Sequence, residues 1–467
     1  MPRFANPEEK RSFMLETPIH RLVPRMALPA MAGMLVTSAY NLADTFFVSH
    51  LGTNATGAVG VNSSIDTLIM MTGSLFAVGA ASFTSRLLGA KKDDHAREVL
   101  STSYFAAFAL GLLFMAFGFL FRDPLLRLLG ANDVLLPYSQ QYCRFILLAA
   151  PFMSSSFVLN QCLRSEGSAV YSMIGMVLGA VLNIGLDPLF IFTFGWGVAG
   201  ASAATAISKL VSWIVLMLPY WRGKTMLTIR LSQIRIRWHD ITEVCSMGSS
   251  SFFRNGLNAL AAIVLNRIAV GYGESALAAV SVSNRITMFM TSACLGFGQG
   301  LQPVVGFSWG AKRYDRIRRA YRFSLAACVI GISAVALTVG LLAKPLLLLF
   351  TEEDADLVRI GVFSLRSQCL AMPFHGYSII VNMTCAGLGR AVPTVLLGTS
   401  RQGYCFFPIL PILTSLFGVW GVASVQGAAD ILCLAVAAPI GRHVMRDVSA
   451  LIAEMPSPQT GSEPSAG

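Results

Sequence analysis

The sequence predicts an all-α polytopic membrane protein with twelve transmembrane helices in two six-helix bundles related by an internal repeat. Three observations carry this. The 467 residues are 54% hydrophobic and only 13% charged, with a mean hydropathy of +0.63, whereas soluble domains carry about 25% charged residues. Apolar runs recur along the whole chain, each at or beyond the ~20 residues needed to cross a bilayer core. The second half of the chain also repeats the first.

Taken in order, the apolar runs place spans at about 18–50, 57–88, 95–121, 134–163, 168–194, 197–221, 240–271, 275–309, 316–346, 355–388, 391–416 and 419–445. Lipid offers backbone groups no hydrogen-bond partner, so spans must be helices or closed-barrel strands. Their length and lack of strict alternation select helices. The organisation that follows is an N-terminal segment (1–17), a first bundle (18–221), a basic linker (222–239), a second bundle (240–446) and a disordered tail (447–467), which is rich in Pro, Ser and Gly.

Orientation comes from the links. GAKKDDHAR after the second span, the long link after the sixth and GAKRYDRIRRAYR after the eighth are basic; HLGTNAT, FGWG, GYGES and TEEDADL on the other side hold almost no Lys or Arg. The positive-inside rule then predicts that both termini are cytoplasmic. It also accounts for the net charge of +11 without nucleic acid, which is not expected as a partner. The nine cysteines are scattered singly with no Cys-x-x-Cys pair, the pattern of buried, inert thiols rather than a metal or disulfide framework. The polar start lacks the short apolar core of a removable signal peptide.

The repeat is direct. GTNATGAVGVNSSI…LLGAKKDDHAR aligns without a gap on GESALAAVSVSNRI…SWGAKRYDRIR at an offset of about 221 residues, and Gly52, Ala55, Ala58, Gly79, Gly89, Ala90, Lys91, Asp94 and Arg97 all recur. Two parallel six-helix repeats are a known transporter architecture, with sites near the midplane.

Ionisable residues inside spans are functional candidates because they are costly there. Asp44 stands in the apolar first span, with Tyr40 and Asn41 four and three residues before it on the same side of the helix. In the fifth span Asn183 and Asp187 share the i, i+4 spacing, and Pro188 loosens the helix beside the carboxylate. Thr205 in the sixth adds a hydroxyl. Together these oxygens suit a cation. A buried carboxylate next to another binds a proton readily, and carboxylate, amide and hydroxyl oxygens can instead hold Na⁺, with Asp44, Asn183, Asp187 and Thr205 as ligands. The plainer reading is that each acid caps local contacts or pairs with a basic residue. Asp66 follows a polar run and is placed near the outer surface. The second half offers Asp430 as its acid, with Arg254 and Arg401 deep enough to pair with it or to line a cavity. Arg267 and Arg285 are read as snorkelling, and His375 as a hydrogen-bonded packing residue. Gly-rich pieces such as LGFGQG lack the preceding strand and Gly-Lys-Ser/Thr run of a phosphate loop.

YNLADTFFVSHLG, RLLGAKK and FFRNGLNALAAIVLNRIAVGYGESALAAVSVSNRI resemble the multidrug and toxic compound extrusion (MATE) family, and the likeness covers about residues 15–446. The resemblance implies two bundles opening alternately to each side, and antiport of amphipathic, often cationic compounds against H⁺ or Na⁺. It implies no cofactor other than the coupling ion, and no enzymatic activity. It further implies that Asp44, Tyr40, Asn183, Asp187 and Thr205 couple to the cation; the reading of the spans themselves adds Asn41, Arg254, Arg401 and Asp430 as substrate-cavity candidates. Family branches with a second-half site use a seventh-span glutamate; SSSFFRNGLNAL has none and carries Arg254. The expected setting is the plasma (inner) membrane, as a monomer among lipid. The alternatives are a lipid or glycolipid flippase of the same superfamily, for which Arg254 and Arg401 would serve headgroups, and a membrane-embedded enzyme, for which no clustered nucleophile, metal or base is found.

Overall fold

The computed structural model describes residues 7–349 and 354–454. A short α1 (Pro7–Glu16) precedes the first half: α2 (Ile19–Ser49), α3 (Thr53–Gly89), α4 (Asp93–Leu120), a connecting α5 (Arg122–Leu128), α6 (Leu136–Ser165), α7 (Ala169–Pro188) and α8 (Gly197–Trp221). The second half follows as α9 (Trp238–Val270), α10 (Glu274–Gly310), α11 (Tyr314–Leu341), a connecting α12 (Ala343–Leu348), α13 (Ala355–Leu388), α14 (Ala391–Ser400), α15 (Phe406–Phe417) and α16 (Val419–Ala453). Among the described residues there is no strand.

All twelve expected spans are present as helices, the eleventh in two pieces. α14 ends at Ser400, and α15 begins after a five-residue turn containing Gly403. Eight of the helices are long and apolar enough to cross a membrane by themselves. α9, α10, α13 and the α14–α15 pair fall short. They surround a polar cavity or pack on the opposite half, and glycine, amides and arginine take the places that lipid-facing helices give to Leu and Phe. One boundary differs from expectation. The tail assigned as disordered from 447 begins as helix, because α16 runs on to Ala453. There Val448 is fully buried and Asp447 pairs with Arg390 at 2.6 Å, so two tertiary contacts extend the helix. The rest of that tail, from 455, lies outside the described residues.

The repeat is exact in local backbone. Lys91 and Lys312 are the two non-glycine residues with positive φ among the described residues, at 59° and 56°. Each closes its helix with the same pair of bonds: Lys91 N–H to Leu88 O and Lys92 N–H to Leu87 O, then Lys312 N–H to Trp309 O and Arg313 N–H to Ser308 O.

The halves meet through α2 against α10 and α3 against α9. Glycine makes this contact backbone to backbone. A Cβ on Gly248 would overlap the Leu75 carbonyl, and one on Gly79 the Val244 carbonyl; Gly296 and Gly300 lie as closely on Met31 and Ala27. At the basic-link end Gly89 abuts Phe307 O and Gly310 abuts Arg86 O. Polar ties join the same region: Ser82 Oγ to Ala386 O at 2.5 Å, Arg86 to Glu243 at 2.6 Å and His95 to Asp240 at 2.9 Å. The outermost ties are Ser38 to Ser292 and Asn255 to Ser74. Beyond them, towards the opposite end, no hydrogen bond or ion pair joins the halves among the described residues.

α1 fastens the basic end from beneath. Lys10 donates to Ser168 Oγ (2.8 Å) and Lys224 O (3.0 Å) and lies 3.8 Å from Glu166. Arg11 donates to Leu88 O and pairs with Asp93 at 2.5 Å. Arg316, from the second half, donates to Met14 O and Thr17 O. Burial pushes the Glu166 carboxyl up, and Lys10 with the Met226 and Leu227 amides works against it. One short helix thus bonds to both halves and to the linker.

Overpacking a close contact usually costs about 1–3 kcal/mol. Gly248→Val should therefore push α9 away from α3 at Leu75, beside the Ser74–Asn255 tie. In a cysteine-free background, a cysteine pair at Ser74 and Asn255 is expected to cross-link readily with Gly248 present and to lose most of that cross-linking in Gly248→Val.

Candidate functional site

The first-half candidates gather on α2, α3, α7 and α8. Asn183 Nδ2 donates to Thr205 Oγ1 at 3.3 Å and reaches Asp187 Oδ1 at 3.5 Å. Asp187 is completely buried. The helix changes character immediately after it: Pro188 has no N–H to give, and Leu189–Thr193 winds as a π-helical turn. Asp44 lies on α2 within electrostatic reach of Asp187 and Asp66. Asp44 Oδ1, Asp66 Oδ1, Asp187 Oδ2 and Asn183 Oδ1 are buried without a hydrogen-bond partner among the described residues. Buried polar atoms normally find partners, so four unpartnered oxygens in one region form an acceptor set suited to a cation.

Lys209, one turn beyond Thr205 on α8, supplies a positive charge. Its Nζ donates to the Tyr40 hydroxyl at 3.0 Å and lies 5.0 Å from the centre of the Tyr40 ring, and its field reaches Asp44 and Asp66. Sequence reasoning missed Lys209, although a lysine inside an apolar span was itself the signal. It also set Asp66 apart from the other acids, where the fold brings it into their field. Buried Tyr142 of α6 lies within electrostatic reach of the same carboxylates. Asn41 does not join this network: its side chain is exposed, one position round the helix from Tyr40.

The second-half candidates form a separate group. Arg401 grips Asp430 with two bonds, Nε to Oδ1 at 2.7 Å and a terminal nitrogen to Oδ2 at 3.1 Å. His375 Nδ1 lies 3.2 Å from the same Oδ1. Asp430 is fully buried, and two basic side chains stand between it and the neighbouring cavity. That cavity, of about 420 Å³, is built by α9, α10, α13, α14 and α16 and lined by Arg254, Arg401 and His375 among amides and apolar side chains. Of the two placements open to the arginines, Arg401 takes both, pairing with Asp430 and lining the cavity. Arg254 lines it too and donates to Ser251 Oγ at 2.9 Å. All nine cysteines are free, and all but Cys245 are buried.

The family signature MatE matches residues 29–189 and 251–412, one stretch in each half. The chain belongs to the MatE family. It is therefore a multi-pass membrane transport protein and not an enzyme. Among MatE relatives, the multidrug export protein MepA of Staphylococcus aureus (strain MSSA476) is 28% identical over 447 residues, covering 94% of this chain and 97% of MepA. MepA of Staphylococcus saprophyticus is 27% identical over 445 residues, with the same coverage. In structure the chain is similar to a MATE protein crystallised in complex with MaL6, with a TM-score of 0.90 and 25% identity over 95% of this chain and 99% of that one. It is also similar to an outward-facing multidrug resistance MATE family transporter, with a TM-score of 0.89 and 26% identity over 94% and 98%.

The Arg401–Asp430 pair gives a stability test within this MatE fold. Removing one member of a buried pair leaves the other charge uncompensated, at about 3–5 kcal/mol, whereas replacing both by apolar groups is often close to neutral. Asp430→Leu should lower the melting temperature of the purified protein strongly. The double variant Asp430→Leu/Arg401→Met should recover most of the loss in the same thermal scan.

Proposed function

We propose that the protein is a secondary active multidrug exporter, a cation antiporter that expels amphipathic, often cationic compounds by alternating access. The observation that carries this is the first-half cluster: three carboxylates with unpartnered oxygens beside a single lysine, in a molecule whose halves are tied together at one end only. The MepA relatives are named as multidrug export proteins, which supports the same reading. The basic end is cytoplasmic, both termini lie on that side, and the described conformation opens outward from the plasma (inner) membrane. The protein works as a monomer.

Asp44, Asp187, Asn183, Thr205 and Tyr40 handle the coupling ion, H⁺ or Na⁺, joined by Asp66 and Lys209. Without the ion, the Lys209 ammonium is the positive charge held against Asp44 and Asp66 among the described residues. When H⁺ or Na⁺ arrives, the carboxylates are neutralised in place and the cost of enclosing them falls. Only such a difference in affinity between access states lets an ion drive a conformational cycle. The drug sits between the halves, with Arg254, Arg401, Asp430 and Asn41 on or behind its walls, and leaves when the ion binds.

Ethidium efflux from loaded cells tests the scheme. Asp44→Asn keeps shape and removes the titratable charge, and efflux is expected to drop at least about tenfold at matched abundance, the scale of one lost charged interaction. Efflux by wild type that survives the substitution would remove Asp44 from coupling. In proteoliposomes, transport driven by an imposed pH gradient in sodium-free buffer identifies H⁺; a requirement for a sodium gradient identifies Na⁺.

A further inference from the structure

We propose that the second-half cavity is a receptor for the carboxylate of an amphipathic organic acid, with the Arg254 guanidinium as its anchor. This deepens the reading of the cavity as a substrate chamber and changes the class of compound that this half would hold.

The argument is one of charge. The cavity wall carries Arg254, Arg401 and His375, and no Asp or Glu lines it. Asp430, the acid nearest to it, is spent on Arg401 and His375. Gln426, turned with its oxygen towards Arg401, accepts from Nε at 3.1 Å as well. Arg401 is thereby neutralised and held. Arg254 differs: it has no carboxylate within ion-pair distance among the described residues, and its one hydrogen bond is to a hydroxyl, Ser251. A half-buried guanidinium has five donors in a planar fork that matches a carboxylate. With one donor used, the fork can still receive both oxygens of a carboxylate.

The surroundings fit such a guest. Asn255, Asn258 and Asn284 line the same space and can complete the hydrogen bonding of an anion, while Met288, Leu295 and Met383 offer an apolar, adaptable wall. A volume of about 420 Å³ lies within the range of drug-sized sites. A cationic head placed here would face two arginines, so cationic groups belong against the acids of the first half. One unpaired positive charge calls for one negative charge.

The test is equilibrium binding to the full-length protein in phosphatidylcholine nanodiscs, read by the fluorescence of dansylglycine and of its uncharged methyl ester. The acid should bind about tenfold or more tightly than the ester, the scale of a charge-assisted hydrogen bond. Arg254→Gln should bring the two together, and Arg254→Lys should keep part of the preference. An unchanged melting temperature for Arg254→Gln shows that the fold is intact. Equal binding of acid and ester by wild type, or a preference that survives Arg254→Gln, overturns the proposal. Nanodiscs containing phosphatidylglycerol separate the sources of the anion. An acid preference lost only there means that a lipid phosphodiester takes the same guanidinium; one that persists means a soluble carboxylate. No ion gradient is present, so failure of cation-driven efflux would leave this result standing, and failure here would leave the coupling scheme standing.

Discussion

Everything in this fold rests on two pairs of helices approaching backbone to backbone. Between lipid-embedded helices the hydrophobic effect offers little, so close packing of small residues supplies much of the attraction. Gly79, Gly248, Gly296 and Gly300 bring α3 onto α9 and α10 onto α2 with no room for a methyl group. That contact fixes the angle at which the halves diverge. It thereby sets how the acids of the first half and the arginine-lined cavity of the second stand relative to each other. It is also a contact between two faces rather than a knot of interlocked side chains, and such a face can separate as a unit.

The two halves share a backbone and differ in charge. The first half holds Asp44, Asp66 and Asp187 against a single lysine. Among the candidate residues of the second half the acid is Asp430, already gripped by Arg401, and Arg254 adds a further positive charge at the cavity. A duplicated scaffold has been given an acidic side and a basic side. Local geometry follows suit: the π turn after Pro188 loosens α7 beside Asp187, and the five-residue turn between α14 and α15 carries Arg401 towards Asp430.

Much of this could be read in the chain itself. Apolar runs and basic links gave the spans and their alternation, because both follow from the bilayer and not from tertiary detail. The repeat was visible at a fixed offset, and it reappears in the matching turns at Lys91 and Lys312. The i, i+4 spacing of Asn183 and Asp187 placed two members of the first-half site, and Thr205 joins them through one hydrogen bond. What stayed hidden depended on partners far apart in sequence. Lys209 meets Tyr40 across 169 positions; its charge inside an apolar span marks it as a candidate, but nothing local to it names Tyr40 as its partner. Asp66 looked peripheral beside a polar run, and only the packing of α3 against the other helices brings it into the field of Asp44. The helical start of the tail had the same cause, since its anchor Arg390 is 57 residues away from Asp447.

The contact at the basic end carries a historical implication. Gly89 rests on residue 307 while Gly310 rests on residue 86, and in each pair the members exchange places under the repeat. Such a contact is isologous, the kind made when a surface meets a copy of itself about a two-fold axis. A six-helix ancestor carrying the same glycine and the same left-handed lysine turn would have been able to pair with itself in a single orientation. Fusion would then have needed only a tether such as the present linker, after which the copies were free to acquire opposite charges.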